Sequence, residues 1–159
     1  MATWVGGDEA SGSEGRAEVM NPDLPVSGYQ KTERLVYFAR MCSKARLMRR
    51  GVLPEPYHEF VGVGFDGRCC RFLQVDYEAI KRLVGEGMGD LEILEWCYAH
   101  GRRPNDEEVF IWNLFMEKRG WRDDDSELVQ REKESIGMGD REEIQTLFDF
   151  YDFDEGRRV

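Results

Sequence analysis

The chain of 159 residues is poor in the side chains that usually mark an active site or an exported protein. It has only two histidines, His58 and His100. A histidine-rich metal centre or a Ser-His-Asp triad therefore has little material. Its four cysteines, Cys42, Cys69, Cys70 and Cys97, include no C-x-x-C pair and no histidine at zinc-finger spacing. They read as free thiols in a reducing compartment, with the adjacent Cys69-Cys70 the pair to test for reactivity. No apolar run approaches the roughly 20 residues a membrane-spanning helix needs. Met1 to Gly15 has no apolar centre and carries Asp8, Glu9 and Glu14, unlike a secretory leader. No P-loop, G-x-G-x-x-G, H-E-x-x-H or nucleophile elbow is present, and the acidic tail lacks the glycine and terminal glutamate of an EF-hand loop. These absences predict a cytoplasmic protein with no cofactor, no metal and no membrane partner.

What is present is charge, unevenly spread. The net charge is −10, which argues against a nucleic-acid partner because such binders need a basic surface. Residues 29–53 nevertheless hold seven bases and one acid, whereas residues from 121 onward hold thirteen acids and six bases. The first helix should therefore pair with the acidic end, or form a confined anion site.

Residues 1–28, rich in Gly, Ser, Glu and Pro, read as a disordered arm in which Trp4-Val5 is the one apolar spot. Residues 29–157 read as a single domain. A helix is expected over Glu33–Arg50, capped by Thr32 and ended by Gly51, with Leu35, Phe38, Ala39, Met41, Cys42, Ala45 and Met48 on one arc. Arg34 would then project into that apolar arc and need a buried partner. Tyr57 to Val63 reads as a short extended segment. Further helices are expected near 66–73 and over Tyr77–Val84, Asp90–His100, a capping box at Asn105 and Glu108 leading to Arg119, and Ser126–Ile136. A last helix is expected to start at Asp140 and Glu143. The segment Val109–Met116 is apolar nearly all round and reads as the central helix of the bundle, with contact to another protein as the alternative. Period-two alternation is almost missing. The fold class is therefore all-α, a compact bundle of six or seven short helices.

Several of these stretches together resemble a known family. They are the run Arg40-Met41-Cys42-Ser43-Lys44-Ala45-Arg46, the pair Tyr57-His58, and the ending Asp149-Phe150-Tyr151-Asp152-Phe153-Asp154-Glu155-Gly156-Arg157. The chain from about Ser27 to Arg157 resembles a bacterial domain-of-unknown-function family with an R-x-x-x-K-A-R first helix and a D-x-D-E-G-R tail. The family pattern often has an acidic residue before the lysine, where Ser43 stands here. The resemblance implies a compact domain in a bacterial cytoplasm and carries no established activity.

The candidate ligand-binding residues are Arg40, Lys44 and Arg46 on the first helix, with Tyr57 and His58 after it. A helix face with arginine and lysine one turn apart suits a phosphate or carboxylate. The competing expectation is that these bases pair with Asp149, Asp152, Asp154 or Glu155. The leading functional expectation is a non-enzymatic protein-interaction module using an apolar strip that includes Trp112 or Phe115, or the arm. The alternative is a small-anion binder or enzyme built on the basic cluster with His58.

Overall fold

The first elements among the described residues form a hairpin rather than a helix. The computed structural model describes residues 22–159; the expected arm, with Trp4 and Val5, falls mainly on residues outside that range. Residues 22–28, read as part of the arm, lie against the domain instead. The Val26 amide donates to Ser43 Oγ, and a Cβ on Gly28 would stand 2.8 Å from the Phe148 ring.

Strands β1 (Lys31–Thr32) and β2 (Leu35–Val36) pair antiparallel, with Lys31 opposite Val36 and Thr32 opposite Leu35. This corrects the expected helix start at Glu33 and the cap at Thr32. The cause is a tertiary partner. The side-chain amide of Asn113 donates to Arg34 O at 2.8 Å and accepts from the Val36 amide at 3.1 Å. Trp112 Nε1 donates to Val36 O at 3.1 Å. These bonds satisfy backbone groups that a helix would otherwise have used. Arg34 consequently sits at an exposed turn and pairs with Asp106 at 3.0 Å, rather than projecting into the core.

Helix α1 (Phe38–Arg49) starts after Tyr37, whose φ of 76° breaks the preceding strand, and ends before Gly51 at φ 74°. Its residues Phe38 to Cys42, Lys44, Ala45 and Leu47 are buried, on every side of the helix. It is the central helix, packed by α3 (Tyr77–Gly85) and α4 (Asp90–His100). Between α1 and α2 (Gly64–Leu73) the chain forms a 3-10 helix at Glu55–Phe60, where an extended segment was expected. Pro56 just inside its start is compatible with helical φ and lacks an amide that would go unpaired there.

Helix α5 (Asp106–Lys118) opens on the expected capping box. Asn105 Oδ1 accepts from the Glu108 amide, and Glu108 accepts from the Asn105 amide, both at 2.8 Å. It packs on β2 and on α7 (Leu147–Asp154). Helix α6 (Ser126–Ser135) covers α7. The last helix starts at a Thr146-Asp149 capping box, not at Asp140 and Glu143. Residues 140–146 turn instead, and Ile144 is buried beside Phe150 and Phe153. One glycine is dictated by close approach: a Cβ on Gly101 would lie 2.0 Å from Leu73 O, where α4 ends against the end of α2.

The domain is thus a bundle of seven α-helices with one two-stranded hairpin among the described residues. Its core gathers Phe38, Met41, Leu73, Ile80, Leu83, Ile93, Leu94, Met116 and Phe148, with all four cysteines buried and free. No helix among the described residues is long and apolar enough to cross a membrane.

Candidate functional site

The basic residues predicted from sequence lie on α1, and two of them point inward. Arg40 makes a two-pronged contact with Glu155: Nη1 donates to Oε1 at 2.9 Å and Nη2 to Oε2 at 2.7 Å. Nη1 also reaches Val26 O at 3.0 Å, and the guanidinium carbon stands 4.5 Å from the Tyr151 ring centre. Both side chains of the pair are almost fully buried, at 3% and 2% exposure. Tyr57 adds a third donor to Glu155 at 2.7 Å, and Arg157 a fourth at 2.6 Å. Burial works against the Arg40 charge, but the Glu155 carboxylate overrides it and the net shift is upward. Burial likewise opposes the Glu155 charge, and the Arg40, Tyr57 and Arg157 donors hold its carboxyl below the usual glutamate range.

Lys44 forms a second buried pair, with Asp66 at 3.1 Å. Asp66 also accepts from Tyr37 at 2.7 Å and from the Gly62 amide at 2.9 Å. Burial pulls the Lys44 ammonium below its ordinary range despite the Asp66 charge. The same burial pushes the Tyr37 hydroxyl well up.

The remaining predicted residues do not converge on these two. Arg46 lies at the protein surface, 2.6 Å from Asp90 and 3.2 Å from Met88 O. His58 turns back on its own segment and donates from Nε2 to Leu53 O at 2.7 Å. Of the acidic residues named with them, Glu155 is the one that forms an ion pair with a base of α1 among the described residues. Asp149 accepts from Tyr29 at 2.8 Å and pairs with Arg158 at 2.9 Å. Asp152 pairs with Arg157 at 3.0 Å, and Asp154 faces outward. Asp66, Tyr37 and Arg157 were missed as members of the network. Asp66 was visible in the sequence only as a helix-start residue, and nothing local announces that it faces Lys44 across the fold. A surface cleft of about 640 Å³ borders the outer side of α1, lined among others by Ser43, Arg46, Arg50, Asp90 and Arg157.

The thiols are withdrawn from solvent. Cys69 is fully buried, and burial pushes its thiol well up; Cys70 is pushed up to about 12 by the same cause. A thiolate is the reactive form, so this pair is chemically quiet. No group of three or more His, Cys, Asp or Glu among the described residues is arranged to hold a metal ion.

The exposed surface with the most distinct character lies on α5. Val109, Trp112 and Met116 face the core, so Trp112 is an internal anchor and not part of a surface strip. The opposite side is apolar as well. Phe110 and Ile111 are 59% and 56% exposed, Leu114 and Phe115 37% and 41%, and Trp121 beyond the helix 45%. The expectation of a central helix is therefore corrected: α5 is apolar all round because it serves the core on one side and presents apolar side chains to solvent on the other. Arg68 and Arg119 lie 5.0 and 5.6 Å from the Phe115 ring centre and flank the strip with positive charge. Arg119 is itself held by Asp123, Asp124 and Asp125.

No curated protein matches the chain. The family model described as a domain of unknown function, DUF5069, matches residues 22–157. That span takes in the α1 cluster, the α5 strip and the acidic ending alike, and the chain belongs to this family.

Proposed function

We propose that the domain is a protein-interaction module whose contact surface is the outward side of α5. The observation that carries this reading is the strip Phe110, Ile111, Leu114 and Phe115, standing open on a helix whose other side is anchored in the core. A rigid helix with exposed apolar side chains at these spacings suits helix-in-groove or helix-on-helix recognition. We extend the reading to a bacterial cytoplasm, since four free buried thiols suit a reducing compartment. The test is a photo-crosslinking side chain placed at Ile111 in living cells. A discrete adduct that Leu114→Asp abolishes is expected. A folded protein that yields no adduct refutes the reading.

The cleft beside α1 favours a second reading, binding of a small anion. Among the described residues Arg50 is the cleft cation without an ion-pair partner; Arg46 is held by Asp90, Arg157 by Asp152 and Glu155, and the donors of Arg40, Lys44 and His58 are engaged. Phosphate or a dicarboxylate should then raise the melting temperature, and Arg50→Ala should remove that rise. No rise with any anion of a broad panel ends this reading.

A further inference from the structure

Helix α5 carries a pattern that reads the same from both ends. Glu107, Ile111, Leu114 and Lys118 are spaced four, three and four residues apart, which puts them on one line along the exposed side. Phe110 and Phe115 stand on either side of that line. The pattern is symmetric about the point between Trp112 and Asn113. An acidic residue lies at one end, a basic residue at the other, and two aliphatic residues between them, with one aromatic on each flank. All six side chains are at the surface. Among the described residues neither Glu107 nor Lys118 has an ion-pair partner; Lys118 Nζ lies 5.9 Å from the Trp121 ring centre.

From this we infer that the partner on α5 is a second copy of the same chain, bound helix to helix in antiparallel register. The inference rests on the reading of α5 as a contact surface. Turning one copy about a two-fold axis that passes beside the helix midpoint, perpendicular to the helix, sets Ile111 against Leu114 of the second copy, and it brings Phe110 alongside Phe110, and Phe115 alongside Phe115, of the second copy. It sets Glu107 against Lys118 at both ends. A two-fold interface repeats every contact between unlike residues, so each such favourable pair counts twice. The charge order excludes the parallel arrangement, which would set Glu107 against Glu107 and Lys118 against Lys118. It also selects the register, because a shift by one turn would leave the charges facing apolar side chains.

The size of the surface sets the strength. Thirteen residues of helix span about 20 Å. The strip alone offers less than the roughly 800 Å² per partner of a stable complex. A surface of that size suits a weak, reversible dimer.

Sedimentation velocity of the full chain across the micromolar range tests this. The wild type should pass from monomer to dimer with concentration. Ile111→Asp should weaken the dimer at least about ten-fold by placing two carboxylates at its centre. Glu107→Lys and Lys118→Glu should each weaken it, and the double variant should recover it. Mixing the two single variants should give a heterodimer stronger than either homodimer, on the order of ten-fold. All these positions are exposed, so the melting temperatures serve as folding controls. A chain that stays monomeric throughout overturns the inference. So does a dimer indifferent to Ile111→Asp, or one that the double reversal does not restore. The crosslink at Ile111 separates the two levels. An adduct of exactly two chain masses supports the second copy. An adduct with a different polypeptide overturns the second copy and leaves the interaction module standing. No adduct overturns both.

Discussion

Replacing Arg40 with methionine and Glu155 with leucine, singly and together, tests the tie between α1 and the acidic ending. Arg40→Met removes both prongs of the ion pair and the bond to Val26 O. Glu155 keeps Tyr57 and Arg157 as donors, so the loss should fall near about 3 kcal/mol, the lower end for breaking a buried pair. Glu155→Leu is worse. It leaves Arg40 nearly buried with only Val26 O and the Tyr151 ring, and also strips Tyr57 and Arg157 of their acceptor. About 4–5 kcal/mol is expected. The double variant removes both buried charges and restores apolar contact. It should cost only about 3 kcal/mol, far below the roughly 7–8 kcal/mol of the summed singles. Urea denaturation followed by circular dichroism reads all three, provided the slope of the transition is unchanged. In thermal melts Arg40→Met should lower the midpoint by about 10 °C. Single losses below about 1 kcal/mol, or losses that add within about 0.5 kcal/mol, would refute the claim that this pair is a coupled, dehydrated unit.

The pH dependence follows from the same carboxylate. Glu155 titrates below its unfolded value of about 4.3, so its contribution is complete above that pH and lost as pH falls through the lower folded value. Stability measured from pH 6 downward should therefore drop steeply below about pH 4, and Glu155→Gln should flatten that slope. Asn113→Ala should cost about 2 kcal/mol by freeing the Val36 amide and Arg34 carbonyl. Hydrogen exchange should then show faster loss at β1 and β2 than elsewhere. Cys69 and Cys70 in the folded protein should react with iodoacetamide far more slowly than free cysteine throughout pH 7 to 9, because burial shields both sulfurs and disfavours their thiolates. Rapid labelling without unfolding would contradict the buried placement.

Helix boundaries marked by local chemistry were legible without the fold. Asp90–His100 needed only its periodicity and Gly101, and α5 needed only Asn105 with Glu108 three residues on. These signals are side chains bonding their own neighbouring backbone, which any reader of the chain can find. The hairpin at Lys31–Val36 was hidden because its bonding partners, Trp112 and Asn113, lie more than seventy residues away. The start of α7 was legible in kind, since Thr146 and Asp149 have capping spacing, but Asp140 and Glu143 offered the same signal earlier. Burial of Ile144 decided between them.

By itself the sequence determined the helical class, the basic α1 set against the acidic ending, and the presence of an apolar segment at Val109–Met116. Periodicity, charge counts and capping spacings are properties of neighbours along the chain. Only the tertiary structure decided which helix is central, which acid meets which base, and which side of α5 stays in solvent. A hydrophobic pattern says that surface must be covered but not what covers it. In this domain α1 buries side chains in every direction around its axis, and the outward strip of α5 stays in solvent.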